Sequence, residues 1–227
     1  MTADLTTRLR LQNEQARARI PGEALTIMDA ATAQLDRAGV AQNSLGVGAH
    51  APDFELPDAT GARVKLSALL AEGPVVLAFY RGGWCPYCST ELRELQLRLP
   101  EIKTAGAQLV AVSPQTPDNS LSTAEKLELE FPVLSDVGNA VARSFGLVFT
   151  LPEDLREVYS SFGIDLPAAN GDSSFELPVP ATYVLAPSGE VLWRFADPDY
   201  TRRGDPDDVI TALSAHASTP AGAGQGR

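Results

Sequence analysis

The stretch that decides the fold is Val75-Val-Leu-Ala-Phe-Tyr80-Arg-Gly-Gly-Trp84-Cys85-Pro86-Tyr87-Cys88. It begins with a continuous apolar run, which is typical of a strand buried on both faces of a sheet. It ends in the only two cysteines of the chain, and an amphipathic helical pattern follows over residues 89–105. The sequence therefore predicts a dithiol at the joint between a central strand and a helix N-terminus.

A helix N-terminus is a favourable place for thiol chemistry. Its free backbone N–H groups and partial positive charge stabilise a thiolate over a thiol. Cysteine pKa values at such sites fall from about 8.5 to roughly 3.5–7.5. Because Pro86 suits the first helical position, we expect Cys85 at the N-cap and Cys88 in the first turn. Both cysteines are candidate catalytic residues.

Composition narrows the class of protein. The 227 residues suffice for one well-buried core, and a net charge of −11 argues against nucleic acid and gives no support for an anionic membrane surface. No apolar stretch approaches the roughly 18–20 residues that span a bilayer, and no apolar signal region follows the first methionine. Two closely spaced cysteines fit a reducing compartment, so the sequence predicts a cytoplasmic protein.

The chain divides into three predicted parts. Residues 1–45 read as a helical extension in which Pro21-Gly22 separates two amphipathic stretches. Residues 46–216 form the main domain, and the Gly/Ala-rich residues 217–227 form a disordered tail. We interpret the extension as an accessory packing element, with a dimerisation or lid element as the alternative.

Within the main domain, strand and helix patterns alternate. This order predicts an α/β fold with a mixed central sheet flanked by helices. Pro100 should bend the helix after the dithiol or end it early, and residues 165–177 read as a polar loop. The predicted strands are 51–56, 64–66, 75–80, 108–112, 131–136, 181–185 and 191–195; the further helices are 67–71, 121–130, 138–145, 152–162 and 206–216.

Four ordered motifs resemble the alkyl hydroperoxide reductase C/thiol-specific antioxidant (AhpC/TSA) family. They are Gly48-Ala-His-Ala-Pro-Asp-Phe54, Tyr80-Arg-Gly-Gly-Trp-Cys-Pro-Tyr-Cys88, Phe131-Pro-Val-Leu-Ser-Asp136 and Pro180-Ala-Thr-Tyr-Val184. The likeness runs from about residue 46 to 215. Within the family, the motifs resemble in particular the peroxiredoxin-like branch that has a CxxC site.

The resemblance implies a thioredoxin-like fold of the peroxiredoxin type. It also implies a peroxide substrate, thiol-dependent reduction of that peroxide, and recycling by a thioredoxin- or glutaredoxin-type reductant. A homodimer is an expectation from the resemblance alone. No metal, flavin or haem is called for.

The site departs from the ordinary peroxiredoxin motif. Arg81 stands where that motif has proline, Cys85 replaces its Thr/Ser, and Cys88 takes the position of the peroxide-attacking cysteine. Pro180 holds the place of the family arginine and resembles the cis-proline of thioredoxins, so we expect a cis bond there. Two assignments stay open: Cys88 attacks peroxide and Cys85 resolves the sulfenate, or Cys85 is the nucleophile and Cys88 resolves a mixed disulfide.

Other residues shape the predicted site. Arg81 could supply positive charge to the thiolates, and Trp84 could shield them; an ordinary charged strand end and simple packing are the alternatives. Tyr87 reads as a solvent-facing aromatic, and Thr182 as a core-facing strand residue with a smaller chance of touching substrate. Arg202 or Arg203 could replace the missing family arginine, although salt-bridged surface arginines are the favoured interpretation.

Three functions remain open on the sequence. The favoured one is a thiol peroxidase that cycles through a Cys85–Cys88 disulfide. The alternatives are a general thiol–disulfide oxidoreductase acting on proteins and a non-catalytic redox sensor or binding module. A structural disulfide would close too short a ring to stabilise the fold much, and a zinc site lacks ligands beyond the dithiol and two unpaired histidines.

Overall fold

The computed structural model describes residues 4–218. Its helices are α1 (Leu5–Arg17), α2 (Gly22–Arg37), α3 (Val40–Asn43), α4 (Leu66–Glu72), α5 (Pro86–Thr104), α6 (Pro117–Leu127), α7 (Ala140–Ser144), α8 (Glu153–Ser161), α9 (Leu166–Asn170) and α10 (Pro206–Ala217). Its strands are β1 (Glu55–Pro57), β2 (Arg63–Lys65), β3 (Val75–Phe79), β4 (Gln108–Ser113), β5 (Val133–Ser135), β6 (Val148–Thr150), β7 (Glu176–Pro178), β8 (Ala181–Leu185) and β9 (Val191–Ala196).

A mixed sheet forms the centre of the described chain. Its five strands lie in the order β5-β4-β3-β8-β9. The middle strand, β3, pairs in parallel with β4 and antiparallel with β8. The outer pairs continue these directions, with β5 parallel to β4 and β9 antiparallel to β8. The predicted α/β fold with a mixed central sheet and flanking helices is confirmed.

Both faces of β3 are covered, which explains its unbroken apolar sequence. Val76 and Ala78 pack on the face that carries α5 and α10, whereas Leu77 and Phe79 pack on the opposite face. All four side chains are at most 1% exposed. Because successive residues of a strand point to opposite faces, each must be apolar here. The strand thus holds the start of α5 rigidly against the core.

The helical extension packs on the main domain through two separate apolar clusters. Leu5 and Leu9 of α1 are buried in the same core cluster as the inner face of α5. Met28 of α2 is buried in a separate cluster with Leu151 and Leu155, beside α8. These contacts attach α1 and α2 to the rest of the described chain through apolar packing.

Three local predictions need correction. The helix predicted at 121–130 begins earlier, at Pro117, because proline suits the first turn of a helix. Of the two effects expected of Pro100, a bend or an early end of its helix, the early end is wrong: α5 continues to Thr104, and Ile102 is fully buried in that last turn. The predicted loop 165–177 contains α9 and the start of β7, which pairs with the unpredicted β6.

The division into 1–45, 46–216 and 217–227 stays a prediction. Of the predicted tail, Ala217 ends α10 and Ser218 caps it, while residues 219–227 lie outside the described residues. Within residues 4–218, no helix has both the length and the apolar character that crossing a bilayer requires.

Candidate active site

The dithiol lies at the strand–helix joint that the sequence predicts. β3 ends at Phe79, Cys85 is the N-cap of α5, and Pro86 occupies its first turn. Cys88 follows in the same turn. Both cysteines are fully buried, and no disulfide bond joins them. The free N–H groups of the helix N-terminus are therefore near both sulfur atoms.

The two glycines before the dithiol let the loop pass close to its neighbours. Gly82 has a φ of +148°, and a Cβ there would lie 2.3 Å from the indole nitrogen of Trp84. A Cβ on Gly83 would lie 2.3 Å from Oγ1 of Thr123. The Gly83 N–H donates to Oε1 of Gln115 over 2.8 Å, which fixes the loop to the end of β4. Gln115 follows the carboxyl end of β4, the sheet edge at which α/β folds usually place ligand sites.

Arg81 binds Cys85 from inside a ring of aromatic side chains. Its guanidinium donates to Sγ of Cys85 over 3.3 Å and to the hydroxyl of Tyr159 over 2.8 Å. Its central carbon lies 4.2 Å from the ring centre of Tyr200 and 5.2 Å from that of Trp84. Arg81 is only 4% exposed, so these cation–π contacts are made away from water. The charge predicted for this position is thus directed at one sulfur atom.

Arg203 binds the other sulfur atom. It donates to Sγ of Cys88 over 3.0 Å and to Oε2 of Glu91 over 2.5 Å, and both charged side chains are at most 1% exposed. Oε1 of Glu91 accepts a 3.0 Å hydrogen bond from the hydroxyl of Thr182. Thr182 is therefore connected to Cys88 by a chain of hydrogen bonds that passes through Glu91 and Arg203.

The thiol pKa values move in opposite directions. Burial alone would raise the pKa of Cys85, but the hydrogen bond from Cys88 and the charges of Arg81 and Arg203 hold it well below its ordinary value. Burial, together with the hydrogen bond to Cys85 and its negative charge, raises the pKa of Cys88 well above the usual range, against the opposing effect of both arginines. These opposite shifts favour a thiolate at Cys85 and a protonated thiol at Cys88.

A count of buried charges leads to the same assignment. Arg203 has Glu91 as its counterion. Arg81 forms no ion pair with a carboxylate in the described part of the chain, and its close polar partners are a hydroxyl and Sγ of Cys85. Because an unpaired buried cation is costly, a thiolate at Cys85 supplies the missing negative charge.

An apolar cavity of about 190 Å³ borders this site. Arg81, Tyr159, Pro180 and Tyr200 form the wall nearest the dithiol. The Nε–H of Arg81 is buried without a hydrogen-bond partner among residues 4–218. The cavity thus reaches the cation that contacts Cys85.

Two predicted site residues behave differently from expectation. The cis bond expected at Pro180 is wrong, since residues 4–218 contain no cis peptide bond; Pro180 instead lines the cavity just before β8. Tyr87 does not face solvent: it is 5% exposed, its hydroxyl donates to Oδ1 of Asn13 over 3.2 Å, and its ring lies 5.6 Å from that of Tyr200. Burial follows because α1 covers the first turn of α5.

The two late arginines also divide. Arg202 pairs with Asp197 at the surface, as favoured from the sequence. For Arg203 the favoured surface interpretation is wrong, since it is 4% exposed and binds Cys88. The sequence pattern cannot distinguish two adjacent arginines, because the path of the loop before α10 directs Arg203 inward and leaves Arg202 at the surface.

Sequence patterns do not identify Glu91, Tyr159 and Tyr200 as site residues. A signal existed for Glu91, which lies three residues after Cys88 and four before the buried Leu95, on the apolar face of α5. A carboxylate at such a position needs a buried partner. No local signal marked the two tyrosines, which come from α8 and from the loop after β9.

Comparisons with known proteins identify the family and the fold of the chain. The AhpC/TSA family model matches residues 47–194. The crystal structure of peroxidoxin BcpB from Mycobacterium tuberculosis superposes with a TM-score of 0.60 at 27% identity, over 75% of this chain and 97% of that one. The thioredoxin-like fold of the peroxiredoxin type is thereby confirmed.

Curated relatives carry peroxiredoxin names. Peroxiredoxin Bcp of Escherichia coli is 33% identical over 105 residues, 46% of this chain and 67% of that protein. Chloroplastic peroxiredoxin Q of Triticum aestivum is 30% identical over 137 residues, 60% of this chain and 61% of that protein. The chain thus spans about three fifths to two thirds of the length of these relatives. Since the family model covers well over half of the residues, the chain belongs to the AhpC/TSA family.

Proposed function

We propose that this protein is a thiol peroxidase that reduces hydroperoxides through a Cys85–Cys88 dithiol–disulfide cycle. The observation that carries the proposal is the buried Arg81 guanidinium, whose only close anionic partner is Sγ of Cys85 in the part of the chain that the structure describes. A thiolate held in this way is the nucleophile that peroxide reduction needs. The family of the chain and the peroxiredoxin names of its relatives support the same reaction.

The first step forms a bond between sulfur and oxygen. The Cys85 thiolate attacks the terminal oxygen of the hydroperoxide, the O–O bond breaks, and the alkoxide leaves and takes up a proton as an alcohol (water, for hydrogen peroxide). Cys85 becomes a sulfenic acid. The positive charge of Arg81 lies beside the reacting sulfur atom, with its guanidinium 3.3 Å from Sγ of Cys85.

The second step closes the disulfide. Sγ of Cys88 attacks the sulfenic acid, the S–O bond breaks, and water leaves with the proton of the Cys88 thiol and one from the sulfenic hydroxyl. In sum, one thiol, one thiolate, one hydroperoxide and one proton give a disulfide, an alcohol and water. An external dithiol of the thioredoxin or glutaredoxin type then returns two electrons and two protons.

We assign the attack to Cys85 rather than Cys88 because the two pKa values diverge. The low pKa of Cys85 populates a thiolate at neutral pH, whereas Cys88 keeps its proton. Arg81, which contacts Cys85, also lines the cavity, whereas Arg203 is sealed against Glu91. The sequence position that suggests Cys88 as the attacking residue is therefore outweighed by its electrostatic surroundings.

A pair of single variants tests the proposal. With one equivalent of peroxide, Cys88→Ser should consume it once and stop, while Cys85→Ser should consume almost none. The wild-type protein with excess reductant should turn over many times. Mass spectrometry identifies the sulfenic acid on Cys85 in Cys88→Ser. A sulfenic acid that forms only on Cys88, in Cys85→Ser, contradicts the assignment but not the peroxidase.

A general thiol–disulfide oxidoreductase is the second candidate. One observation favours it: the N-terminal cysteine of the CxxC pair has the lowered pKa, as a disulfide exchange enzyme needs. Against it, both sulfur atoms are fully buried, and a protein disulfide needs more access than a peroxide. Reduction of insulin disulfides without reduction of any peroxide would select this function, and single-turnover behaviour with every substrate would select a sensor.

A further inference from the structure

Three buried side chains around the dithiol carry a fixed excess of one positive charge. Arg81 and Arg203 are each 4% exposed, and Glu91 is 1% exposed. Glu91 neutralises Arg203 through a buried ion pair. Arg81 instead contacts aromatic rings and the Tyr159 hydroxyl, and within residues 4–218 it forms no ion pair with a carboxylate. Neutrality of the site therefore requires one negative charge from the cysteines.

The dithiol state can supply that charge, whereas the disulfide state cannot. With two free cysteines, a thiolate at Cys85 accepts from Arg81 over 3.3 Å, while Cys88 accepts from Arg203 over 3.0 Å. A bond between the two sulfur atoms removes the thiolate and with it the counterion of Arg81. Arg203 keeps Glu91, so the loss falls on one side of the site. Because an uncompensated buried cation is costly, the charge count favours the dithiol state.

The cross-link itself contributes little to stability. A disulfide stabilises a fold mainly by restricting the unfolded chain, and this effect decreases as the loop that it closes becomes shorter. Cys85 and Cys88 are only three positions apart, at the start of one helix, α5. The stabilisation expected from closing so short a loop is therefore small.

We infer that closure of the Cys85–Cys88 disulfide destabilises the folded protein, so that the oxidised form readily transfers its disulfide even to weakly reducing thiols. The inference rests on the proposed function as the source of the disulfide, and it adds the class of thiol that the oxidised protein can react with. A fold that stabilises the dithiol over the disulfide makes the disulfide a stronger oxidant by the same free energy.

The transfer consists of two thiol–disulfide exchanges. A thiolate attacks Sγ of Cys88, the bond between the cysteines breaks, and its electron pair stays on Cys85, beside Arg81. A second thiolate attacks the external sulfur of this mixed disulfide, and Cys88 leaves and takes up a proton. In sum, one protein disulfide, two external thiolates and one proton give the Cys85 thiolate, the Cys88 thiol and one external disulfide. The external thiols are oxidised and the protein is reduced.

The redox equilibrium of the folded protein tests the inference. The fraction of disulfide is measured in mixtures of reduced and oxidised glutathione, with the same chain unfolded in urea as the reference. The folded protein should favour the dithiol at least about tenfold more than the unfolded chain does, the factor that corresponds to one pKa unit. The oxidised form should accordingly unfold at a lower urea concentration than the reduced form. An oxidised form that is as stable as the reduced form, or more stable, overturns the inference.

Two substitutions change the charge count in opposite directions. Arg81→Met removes the excess cation and should shift the equilibrium at least about tenfold towards the disulfide, whereas Glu91→Gln adds an uncompensated cation and should shift it towards the dithiol. Arg202→Met, which removes a surface arginine paired with Asp197, is the control and should leave the equilibrium unchanged. A general disturbance of the site would move both variants in the same direction, and that result overturns the inference. If either variant does not fold, the comparison of folded and unfolded wild-type protein decides.

The two failures are distinguishable, because neither measurement uses peroxide. If no peroxide is reduced but the folded protein favours the dithiol as expected, the proposed function fails and the destabilising disulfide stands. If peroxides are reduced while the folded and unfolded chains have the same redox equilibrium, the function stands and the inference is overturned.

Discussion

The two halves of the dithiol site are built on the same plan and differ in one partner. Each sulfur atom accepts a hydrogen bond from a buried arginine: Cys85 from Arg81 and Cys88 from Arg203. Arg203 is neutralised by a buried carboxylate, that of Glu91. Arg81 is held instead by aromatic faces and a tyrosine hydroxyl, which carry no formal negative charge.

This difference decides where the negative charge of the dithiol lies. An arginine that already has a carboxylate gains less from a thiolate than one that has none. The pKa of Cys85 is accordingly lowered and that of Cys88 raised, although Cys88 has the closer arginine. The hydrogen bond from Cys88 and the unpaired Arg81 cation together favour the thiolate at Cys85, which is the nucleophile of the proposed mechanism, although the shorter sulfur–arginine hydrogen bond is made to Cys88.

Removal of Glu91 should have the largest effect on stability, because it leaves both buried arginines without a carboxylate partner within residues 4–218. Glu91→Ala leaves the Arg203 guanidinium buried without its carboxylate, and the loss of one partner from a buried ion pair costs about 3–5 kcal/mol. Urea unfolding should report this as a lower free energy of unfolding. Glu55→Ala, which removes the exposed partner of Arg63, is the control and should barely move the unfolding midpoint.

A double variant separates the ion pair from its surroundings. Glu91→Ala combined with Arg203→Met should recover most of the lost stability, because the unpaired cation is gone. If the double variant is as unstable as Glu91→Ala, packing around α5 accounts for the cost, and the role assigned to the charge pair is wrong.

Replacement of Arg81 sharpens the comparison at the sulfur atoms. Arg81→Met removes the cation that lowers the pKa of Cys85, so that pKa should rise towards its ordinary value. The ultraviolet absorbance of the thiolate, followed against pH, measures this without requiring access to the buried sulfur. Arg81→Lys should give a smaller rise, since the charge remains and the fork of donors is lost. A titration curve unaltered in Arg81→Met contradicts the counterion argument.

The lowered pKa of Cys85 also predicts how stability depends on pH. Since the folded state lowers the pKa of Cys85, its thiolate contributes stability that is fully present above the ordinary thiol pKa and is lost as pH falls through the lowered value. The stability of the wild-type protein relative to Cys85→Ser should therefore increase with pH below about 8.5. A difference that is constant with pH would show that the thiolate does not exist in the folded state.

The sequence predicts features that depend on neighbouring residues better than features that depend on residues far apart along the chain. The apolar run of β3, the breaker-rich RGG loop and Pro86 specify the strand–helix joint from neighbouring residues alone, and the structure has that joint. The charges that distinguish the cysteines are brought together across the chain: Tyr159 is 78 residues from Arg81, and Arg203 is 115 from Cys88. Periodicity carries no information about such pairs, so the sequence favours a surface position for Arg203 and does not mark Tyr159 as a site residue.

The smallest predicted effects come from the hydroxyl groups that hold each half. Tyr159→Phe keeps the ring beside Arg81 and removes the hydroxyl that accepts from it, while Thr182→Val removes a donor to Glu91. Each should lower the free energy of unfolding by about 1–3 kcal/mol, the range for a hydrogen bond to a charged group. Only Tyr159→Phe should also raise the pKa of Cys85, because the Tyr159 hydroxyl fixes the guanidinium in the position from which it donates to that thiolate. If Thr182→Val shifts the Cys85 titration as far as Tyr159→Phe does, the two halves act as one network, and the distinction between a paired and an unpaired arginine is wrong.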